Sequence, residues 1–470
     1  MSRSRKKHSP ITELHITGIS ADGKAVGRKD RLVVFVQGGA PGDIVDVEII
    51  GKEKKFLIGR PIHFHERSAD RVDAFCEHFG ICGGCKWQHI TYKAQLTHKH
   101  RHVEDNLKKL SGLELPTMQP ILGSEETTHY RNKLEYTFSN NRWLTLEEIQ
   151  SQEKMNRNAL GFHIPKMFDK ILDIHECHLQ PAPSNAIRLA LKRFADENDL
   201  SYYDLRQQTG LLRNLIIRTS TLGEIMVIVQ FGENDRSKIL SVMNFLKTEF
   251  PEINSLLYII NEKKNETFYD LQVKNFFGED YIREQLGDLI FRIGPKSFFQ
   301  TNPRQAQQLY DKVVEMAQLT GEEIVYDLYT GTGTIANYVA NKAAKVVGIE
   351  SVEDAVEDAR KNAGINGILN TEFYAGDMKD LLSPEFIKLH GKPQVIITDP
   401  PRAGMHKNVI KMLLRVSPKR IVYVSCNPAT QARDLELLGE KYQVEQIQPV
   451  DMFPQTHHVE NIVSLILKGK

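Results

Sequence analysis

A cysteine, a glutamate and an aspartate near the end of the chain sit in patterns suited to covalent catalysis. Cys426 belongs to SCNP (425–428) and follows the apolar run RIVYV. A cysteine kept for packing usually lies among apolar neighbours. One at the end of such a run, followed by Asn-Pro, is a candidate nucleophile. Asp399 opens DPPRAG (399–404), where two prolines stiffen the loop and can hold the carboxylate in a fixed place. Glu460 closes DMFPQTHHVE (451–460), ahead of the apolar run NIVSLIL. It is the natural general base; His457 and His458 are rivals that could instead only pack or orient the loop. A thiol with a separate base suits a substrate carbon that must first be activated by addition and later lose a proton.

A second set of residues points to a bound nucleoside. DLYTGTGT (327–334) follows a strand-like run and opens a helical one. Glycines there let the backbone turn sharply and come close to a ligand. Glu350 ends the next strand-like run, where an acid can accept from both ribose hydroxyls. Asp377, in AGD after a third run, is placed to meet an adenine amino group. A dinucleotide site competes with this reading, but it would normally show G-x-G-x-x-G, and the loop here reads G-T-G-T-I-A. S-adenosylmethionine has no pyrophosphate to cradle and needs no third glycine, so a methyl-donor site is expected.

The other four of the five cysteines lie far from Cys426 in sequence. Cys76, Cys82 and Cys85 form C-x5-C-x2-C, and Cys177 stands in HECHL. Four thiolates suit either zinc or a [4Fe-4S] cluster, and spacing alone does not choose between them. The C-x3-C-x2-C pattern of radical enzymes is absent. An odd, sparse set behind a start that lacks an apolar leader run points to a reducing cytoplasm rather than to disulfides.

These residues need a scaffold of several domains, as a length of 470 residues allows. Residues 1–9 read as a basic tail. Residues 10–66 hold short strand-like runs (LHITGIS, LVVFVQ, DIVDVEII, KFLIGRPIHF) separated by turns such as DGKAVGRKD, the pattern of a small oligonucleotide-binding barrel. Lys24, Arg28, Lys29 and Arg31 are its candidate phosphate contacts, or simply a solvated loop. Residues 67–285 read as an α+β domain carrying the four-cysteine set, with a helix over TYKAQLTHKHRHVEDNLKKLSG and a linker near 278–290. Residues 286–470 alternate strands (EIVYDLY, AKVVGIE, TEFYAGD, QVIITDP, RIVYVSC) with helical stretches. That makes an α/β chain with a C-terminal doubly wound, Rossmann-like parallel sheet. In such sheets ligands sit at the carboxyl ends of the strands, where Glu350, Asp377, Asp399 and Cys426 all fall. The net charge of +1 excludes a protein-wide basic field, so any nucleic-acid contact must be a local patch. No apolar run is long enough for a membrane span.

QTNP (300–303), DLYTGTGT, DPPRAG, SCNPAT and DMFPQTHHVE together resemble the uridine-C5 RNA methyltransferase family, over the whole of the last domain. The resemblance implies S-adenosylmethionine contacts for Gln300, Tyr329, Thr334, Glu350, Asp377 and Asp399, the nucleophile role for Cys426 and the base role for Glu460. Many members have Phe where Tyr329 stands and Cys where Thr330 stands; the intact Gly-x-Gly turn makes both changes tolerable. Residues 10–66 resemble the family's TRAM-type RNA-binding barrel. Cluster-bearing members show C-x5-C-G-G-C with a distant fourth cysteine, so the resemblance implies a [4Fe-4S] cluster on Cys76, Cys82, Cys85 and Cys177. Arg131 and Lys133 match the family pattern and are candidate RNA-phosphate contacts. Phe138 and Phe162 could stack a base, although most phenylalanines are core.

The implied reaction is addition of Cys426 to C6 of an extruded uridine, methylation at C5 and removal of the C5 proton by Glu460. Members with both barrel and cluster more often act on large-subunit (23S) rRNA, while related enzymes act on the tRNA T-loop. The expected substrate is therefore rRNA, with tRNA as the alternative, and the expected state is a monomer. Amino-group methyltransferases also carry an Asp/Asn-Pro-Pro loop, but with an aromatic residue where Arg402 stands. A metal-stabilised RNA-binding protein without catalysis would not need every cofactor and catalytic position retained.

Overall fold

The computed structural model describes residues 9–151 and 155–469, so the expected basic tail, save Ser9, lies outside the described residues. Strands β1 (Ile11–Ile19), β2 (Ala25–Lys29), β3 (Leu32–Val36), β4 (Ile44–Lys52) and β5 (Phe56–Glu66) close a barrel in the order β1-β2-β3-β5-β4. Alternate residues fill it, among them Val34, Val36, Val45 and Val47. The segment DGKAVGRKD, expected as a turn, contains β2. Its inward residues are Ala25 and Gly27, too small to show an apolar alternation. Gly27 must be small, since a Cβ there would stand 2.8 Å from the His15 carbonyl oxygen.

Helix α1 (Tyr92–Leu110) starts at Thr91, whose hydroxyl accepts from the Ala94 N–H at 3.3 Å. It ends at Ser111, and Gly112 follows at φ 62°. Next come β6 (Lys133–Ser139), α2 (Leu146–Gln150), β7 (Ala159–Ile164), β8 (Met167–Asp173), α3 (Ser184–Glu197), β9 (Leu212–Thr219), β10 (Ile225–Phe231), α4 (Arg236–Glu249), β11 (Ser255–Ile260) and β12 (Lys274–Gly278). The strands form one sheet, β12-β11-β10-β9-β6-β7-β8, antiparallel except between β10 and β11. The stretch expected as a linker near 278–290 folds as a hairpin, β13 (Ile282–Leu286) and β14 (Leu289–Ile293). Its two-residue turn is Gly287-Asp288, with Gly287 at φ 60° as such turns require.

The last part contains α5 (Pro303–Ala317), β15 (Ile324–Leu328), α6 (Thr334–Val339), β16 (Lys345–Glu350), α7 (Glu353–Ile365), β17 (Thr371–Ala375), α8 (Met378–Leu381), α9 (Pro384–His390), β18 (Val395–Thr398), α10 (Lys407–Val416), β19 (Arg420–Ser425), α11 (Pro428–Leu438), β20 (Tyr442–Val450) and β21 (Glu460–Leu467). The sheet order is β17-β16-β15-β18-β19-β21-β20, parallel from β17 to β19. The expected doubly wound sheet is present, and its parallel part ends at β19 because β21 runs antiparallel to both neighbours.

Two packing features bear on the site. Val103 and Leu107 of α1 share a core with Tyr326, Leu328, Leu435 and Leu438, so α1 packs on the C-terminal sheet although it precedes the central one. A second core runs from Ile216, Met226 and Ile228 of the central sheet through the hairpin into Leu309, Val313 and Val325. Each such fully buried aliphatic side chain stabilises by about 1.5–3 kcal/mol. A shared apolar core of this kind fixes the central and C-terminal parts against one another, where a small polar contact would let them move. Among the described residues, no helix is long and apolar enough to cross a membrane.

Candidate active site

The carboxyl ends of the parallel strands gather the residues expected to act on a ligand. Asp327 lies at the end of β15, Glu350 closes β16, Asp377 follows β17, Asp399 follows β18 and Cys426 follows β19. The antiparallel β21 brings its first residue, not its last, to this same edge. Ser425 pairs with Asn461, which sets Cys426 and Glu460 at facing ends of adjacent strands.

The glycine turn is built as its sequence requires. Gly331 and Gly333 have φ of 55° and 75°, and Tyr329 before them holds φ 63° without being glycine. The Gly331 N–H donates to Glu350 Oε2 at 3.1 Å, while Glu350 Oε1 accepts from the Ser351 and Val352 N–H groups at 2.7 and 3.1 Å. Asp327 Oδ2 accepts from Thr330 Oγ1 at 2.5 Å and the Ala336 N–H at 3.0 Å. Its Oδ1 is buried without a partner among the described residues. Thr334 is buried at the first position of α6, with its hydroxyl 3.3 Å from that of Thr332. Asp377 is exposed and pairs with Lys379 at 2.8 Å. An orphaned acid oxygen, an acid at the end of β16 and an open glycine turn fit a cationic nucleoside ligand such as S-adenosylmethionine.

Electrostatics tie Cys426, Glu460 and Asp399 into one group. Burial pushes the Cys426 thiol up to about 11, and the nearby Glu460 and Asp399 add to the rise, whereas Arg402 opposes it. Burial likewise lifts Glu460 well above the carboxylate range, helped by Asp399 and opposed by Arg402. Asp399 rises to about 7 by burial. Tyr310 of α5 lies in the same group. Its buried phenol is pushed up by burial and by Asp399, Asp327 and Glu460, and the Gln300 side chain opposes the rise. Nothing in the sequence singled out Tyr310, because it occupies an ordinary core position of an amphipathic helix.

Loop DPPRAG is stapled to the Cys426 turn. The Arg402 carbonyl accepts from Asn427 Nδ2 at 3.1 Å and Thr430 Oγ1 at 3.2 Å. The buried Asp434 accepts from the Met405 N–H and the Tyr423 hydroxyl, both at 2.8 Å. These bonds leave the exposed Arg402 side chain where its charge acts on both Cys426 and Glu460. His457 and His458 are partly buried, and burial pushes them down to about 3 and about 4.

A cavity of about 740 Å³ opens between the central sheet and this edge. It is lined by Gln300, Arg402, Phe453 and His458 on one side and by Arg131, Lys133 and Phe162 on the other. Burial, with Arg218 close by, pushes the Lys133 ammonium down to about 8. Phe138 is not at the cavity; it is fully buried edge-on to Tyr202 and belongs to the core. Phe162 stacks on Tyr136 at 4.9 Å and does reach the cavity wall. On the barrel, Lys24 is paired with Asp22, while Arg28, Lys29 and Arg31 are exposed.

Cys76, Cys82, Cys85 and Cys177 line the same cavity as Gln300 and Arg402. The sequence offered no link between the two sets. Burial raises Cys82 to about 11 and Cys85 to about 12, and each thiol is raised further by charge on the others. Cys82 and Cys177 pack on the apolar cluster Ile164, Leu172 and Ile174. Burial keeps Cys82 and Cys85 as neutral thiols at neutral pH, and a bound cation is what would draw them into the thiolate form that ligates metal. Gly83 sits at φ 76°, and a Cβ there would stand 2.4 Å from Pro165 Cγ. Buried Arg188 also escaped the sequence reading; it donates to the Ile174 carbonyl and, at 2.8 Å, to that of His175, holding the strand end before Cys177. Glu77, His78 and His175 cluster nearby, but His78 Nε2 accepts the His175 N–H at 2.9 Å.

Comparison with known proteins bears directly on this arrangement. Residues 270–468 match the family model described as tRNA (Uracil-5-)-methyltransferase, and residues 6–62 match that of the TRAM domain. A Bacteroides thetaiotaomicron protein named as an uncharacterized RNA methyltransferase is 55% identical over 96% of this chain and 100% of its own length. The chain belongs to the RNA uracil-C5 methyltransferase family. A Porphyromonas gingivalis RNA methyltransferase is 53% identical over 96% of this chain and 99% of that relative. Among solved structures, the Pyrococcus abyssi tRNA (uracil-54, C5)-methyltransferase in complex with S-adenosyl-L-homocysteine aligns with a TM-score of 0.75 and 31% identity. That alignment covers 96% of this chain and 99% of the other. The methyltransferase is thus an enzyme of S-adenosylmethionine-dependent RNA methylation, with a TRAM RNA-binding barrel at its N-terminal end.

Proposed function

We propose that the enzyme methylates C5 of a uridine in large-subunit rRNA, with Cys426 as covalent nucleophile and Glu460 as the base that completes the reaction. The observation that carries this reading is the juxtaposition of Cys426 and Glu460 at facing strand ends beside the glycine turn. The Cys426 sulfur adds to C6, and the C5=C6 electron pair moves onto C5 as an enolate. When bound, S-adenosylmethionine supplies an electrophilic methyl group that this carbon takes, leaving S-adenosylhomocysteine. Glu460 then accepts the C5 proton, the C5=C6 bond reforms and the C6–sulfur bond breaks, freeing Cys426. Glu460 is a stronger base than an ordinary carboxylate because burial raises it, whereas burial weakens His457 and His458. Gln300, Tyr329, Thr334, Glu350, Asp377 and Asp399 are assigned to cofactor binding, with Asp327 Oδ1 added as an acceptor for a cationic group. Arg402, Arg131 and Lys133 supply positive charge to the cavity that receives the uridine, and Phe162 is available to contact its base.

Cys76, Cys82, Cys85 and Cys177 are assigned to a [4Fe-4S] cluster, with zinc as the alternative, and the enzyme to the cytoplasm as a monomer. The cluster shapes the cavity wall; no step of the reaction needs it. The pairing of the barrel with this cysteine set favours rRNA. A tRNA substrate is the second reading, favoured by the likeness to a tRNA (uracil-54, C5)-methyltransferase. Methyl transfer from labelled S-adenosylmethionine to unmodified large-subunit rRNA and to unmodified tRNA, side by side with anaerobically prepared protein, separates them. Label on rRNA alone, recovered as 5-methyluridine, is expected. Label on tRNA alone would overturn the substrate, and label on neither would overturn the function.

A further inference from the structure

Residues 451–459 form the long loop between β20 and β21, whose ends are joined where Val450 pairs with Glu460. The next residue, Asp451, anchors that loop to α1. Lys99 Nζ donates to Asp451 Oδ1 at 2.6 Å and to the Phe453 carbonyl at 3.0 Å, and the Tyr92 hydroxyl donates to Asp451 Oδ2 at 2.9 Å. Both side chains of the ion pair are at 0% exposure. A fully buried pair is expensive to desolvate, and its best-attested use is to fix one arrangement among several.

Gln95, one turn before Lys99, makes a reciprocal contact with Gln455. Its Nε2 donates to Gln455 Oε1 at 3.0 Å, and its Oε1 accepts the Gln455 N–H at 2.9 Å. The Gln455 carbonyl accepts from the N–H groups of Lys86 and Trp87 at 2.9 and 3.1 Å. Gln455 holds φ 66°, a strained conformation for a side-chain-bearing residue that persists only when its surroundings over-determine it. The Tyr130 hydroxyl adds a bond to the Pro454 carbonyl at 2.9 Å, while Asn302 of the C-terminal part reaches the Met452 carbonyl at 3.2 Å. The loop that leads to Glu460 is therefore shaped largely by residues from the N-terminal third of the chain.

We infer that Gln95 and Lys99 of α1 are positioning residues for Glu460, holding the 451–459 loop so that the carboxylate meets the C5 proton. This rests on the assignment of Cys426 and Glu460 above. In the elimination step the Glu460 carboxylate takes the proton, the C–H electron pair reforms C5=C6, and the C6–sulfur pair returns to Cys426. Addition of the thiol does not need Glu460. A displaced loop slows elimination selectively and leaves methylated RNA bound to Cys426, since a shift of about 1 Å can cost on the order of 100-fold in rate.

The test uses full-length Gln95→Ala and Lys99→Met, with Glu460→Gln as reference, on an RNA that the wild type methylates. Covalent protein–RNA product is read on a denaturing gel, on normal RNA and on 5-fluorouridine RNA, where fluorine at C5 blocks elimination for every variant. Glu460→Gln is expected to accumulate adduct on normal RNA. Gln95→Ala and Lys99→Met should do so at about tenfold or more above wild type, while forming the fluorinated adduct within about twofold of its rate. Equal loss on both RNAs, or wild-type behaviour on both, overturns the inference. Gln95→Ala removes no charge, so it carries the test if Lys99→Met is too unstable. Adduct with Glu460→Gln but not with the α1 variants removes the inference alone; no adduct with Glu460→Gln removes the base assignment and the inference with it.

Discussion

The Cys426 thiol sits in an environment that opposes its ionisation: burial raises it to about 11, and Glu460 and Asp399 raise it further. Arg402 is the counterweight, lowering both Cys426 and Glu460. The proposed mechanism requires the thiolate to add to C6, so it predicts that adduct formation accelerates as pH rises from neutral to mildly alkaline. Replacing Arg402 with alanine removes a charge that favours the thiolate, so Cys426 should need a higher pH. Stopped-time adduct formation with 5-fluorouridine RNA across pH should show the Arg402→Ala profile displaced upward, with about tenfold lower rate at neutral pH for each unit of displacement. An unmoved profile would show that Arg402 does not act on the thiol. At this scale the sequence was informative because Cys426, Asp399 and Glu460 all stand at the ends of apolar runs. Tyr310, Asp434 and Arg188 were not visible, because each lies within a helix and its partners come from distant segments.

Elements were legible where their inward residues are large. The C-terminal strands announce themselves through Val, Ile and Tyr, and the helix over 92–110 through apolar positions three to four apart and the stop at Gly112. Strand β2 was hidden by Ala25 and Gly27, and the β13–β14 hairpin by the charged residues among its apolar ones, although Gly287-Asp288 is a hairpin turn signal. The buried stripe of α1 reads Gln95, Lys99, Val103 and Leu107 at four-residue intervals, so an amide and an ammonium occupy core positions. That breach of apolar patterning was itself a signal of a polar partner elsewhere. The C-G-G-C turn permits a prediction at the same scale. Gly83 is both left-handed and in contact with Pro165, so Gly83→Ala should cost about 1–3 kcal/mol locally and loosen the cysteine set. Iron and acid-labile sulfide assays on anaerobically purified protein should find about four irons per chain in the wild type and markedly fewer in Gly83→Ala. Stoichiometric zinc in the wild type would replace the cluster assignment.

At the scale of the molecule, no separate part of the chain holds a complete site. The C-terminal sheet carries Cys426 and Glu460, the central sheet and the four cysteines line the neighbouring cavity, and α1 holds the loop before Glu460. A sequence read in consecutive domains could not show this, because α1 and the C-G-G-C turn precede the central sheet, yet α1 packs on the C-terminal sheet and the turn lines the cavity beside it. The shared core through Ile216, Ile228, Leu309 and Val325 keeps these parts in register, so the cavity is largely formed before RNA arrives. The central claim is covalent catalysis by Cys426 at this assembled site. It is tested most directly by incubating the full-length protein with 5-fluorouridine RNA and S-adenosylmethionine, digesting the denaturation-resistant product and mapping the modified peptide by mass spectrometry. The account predicts one adduct, on the peptide containing Cys426, and none with Cys426→Ala. An adduct at another residue, an adduct that survives Cys426→Ala, or methylation without any adduct would contradict it.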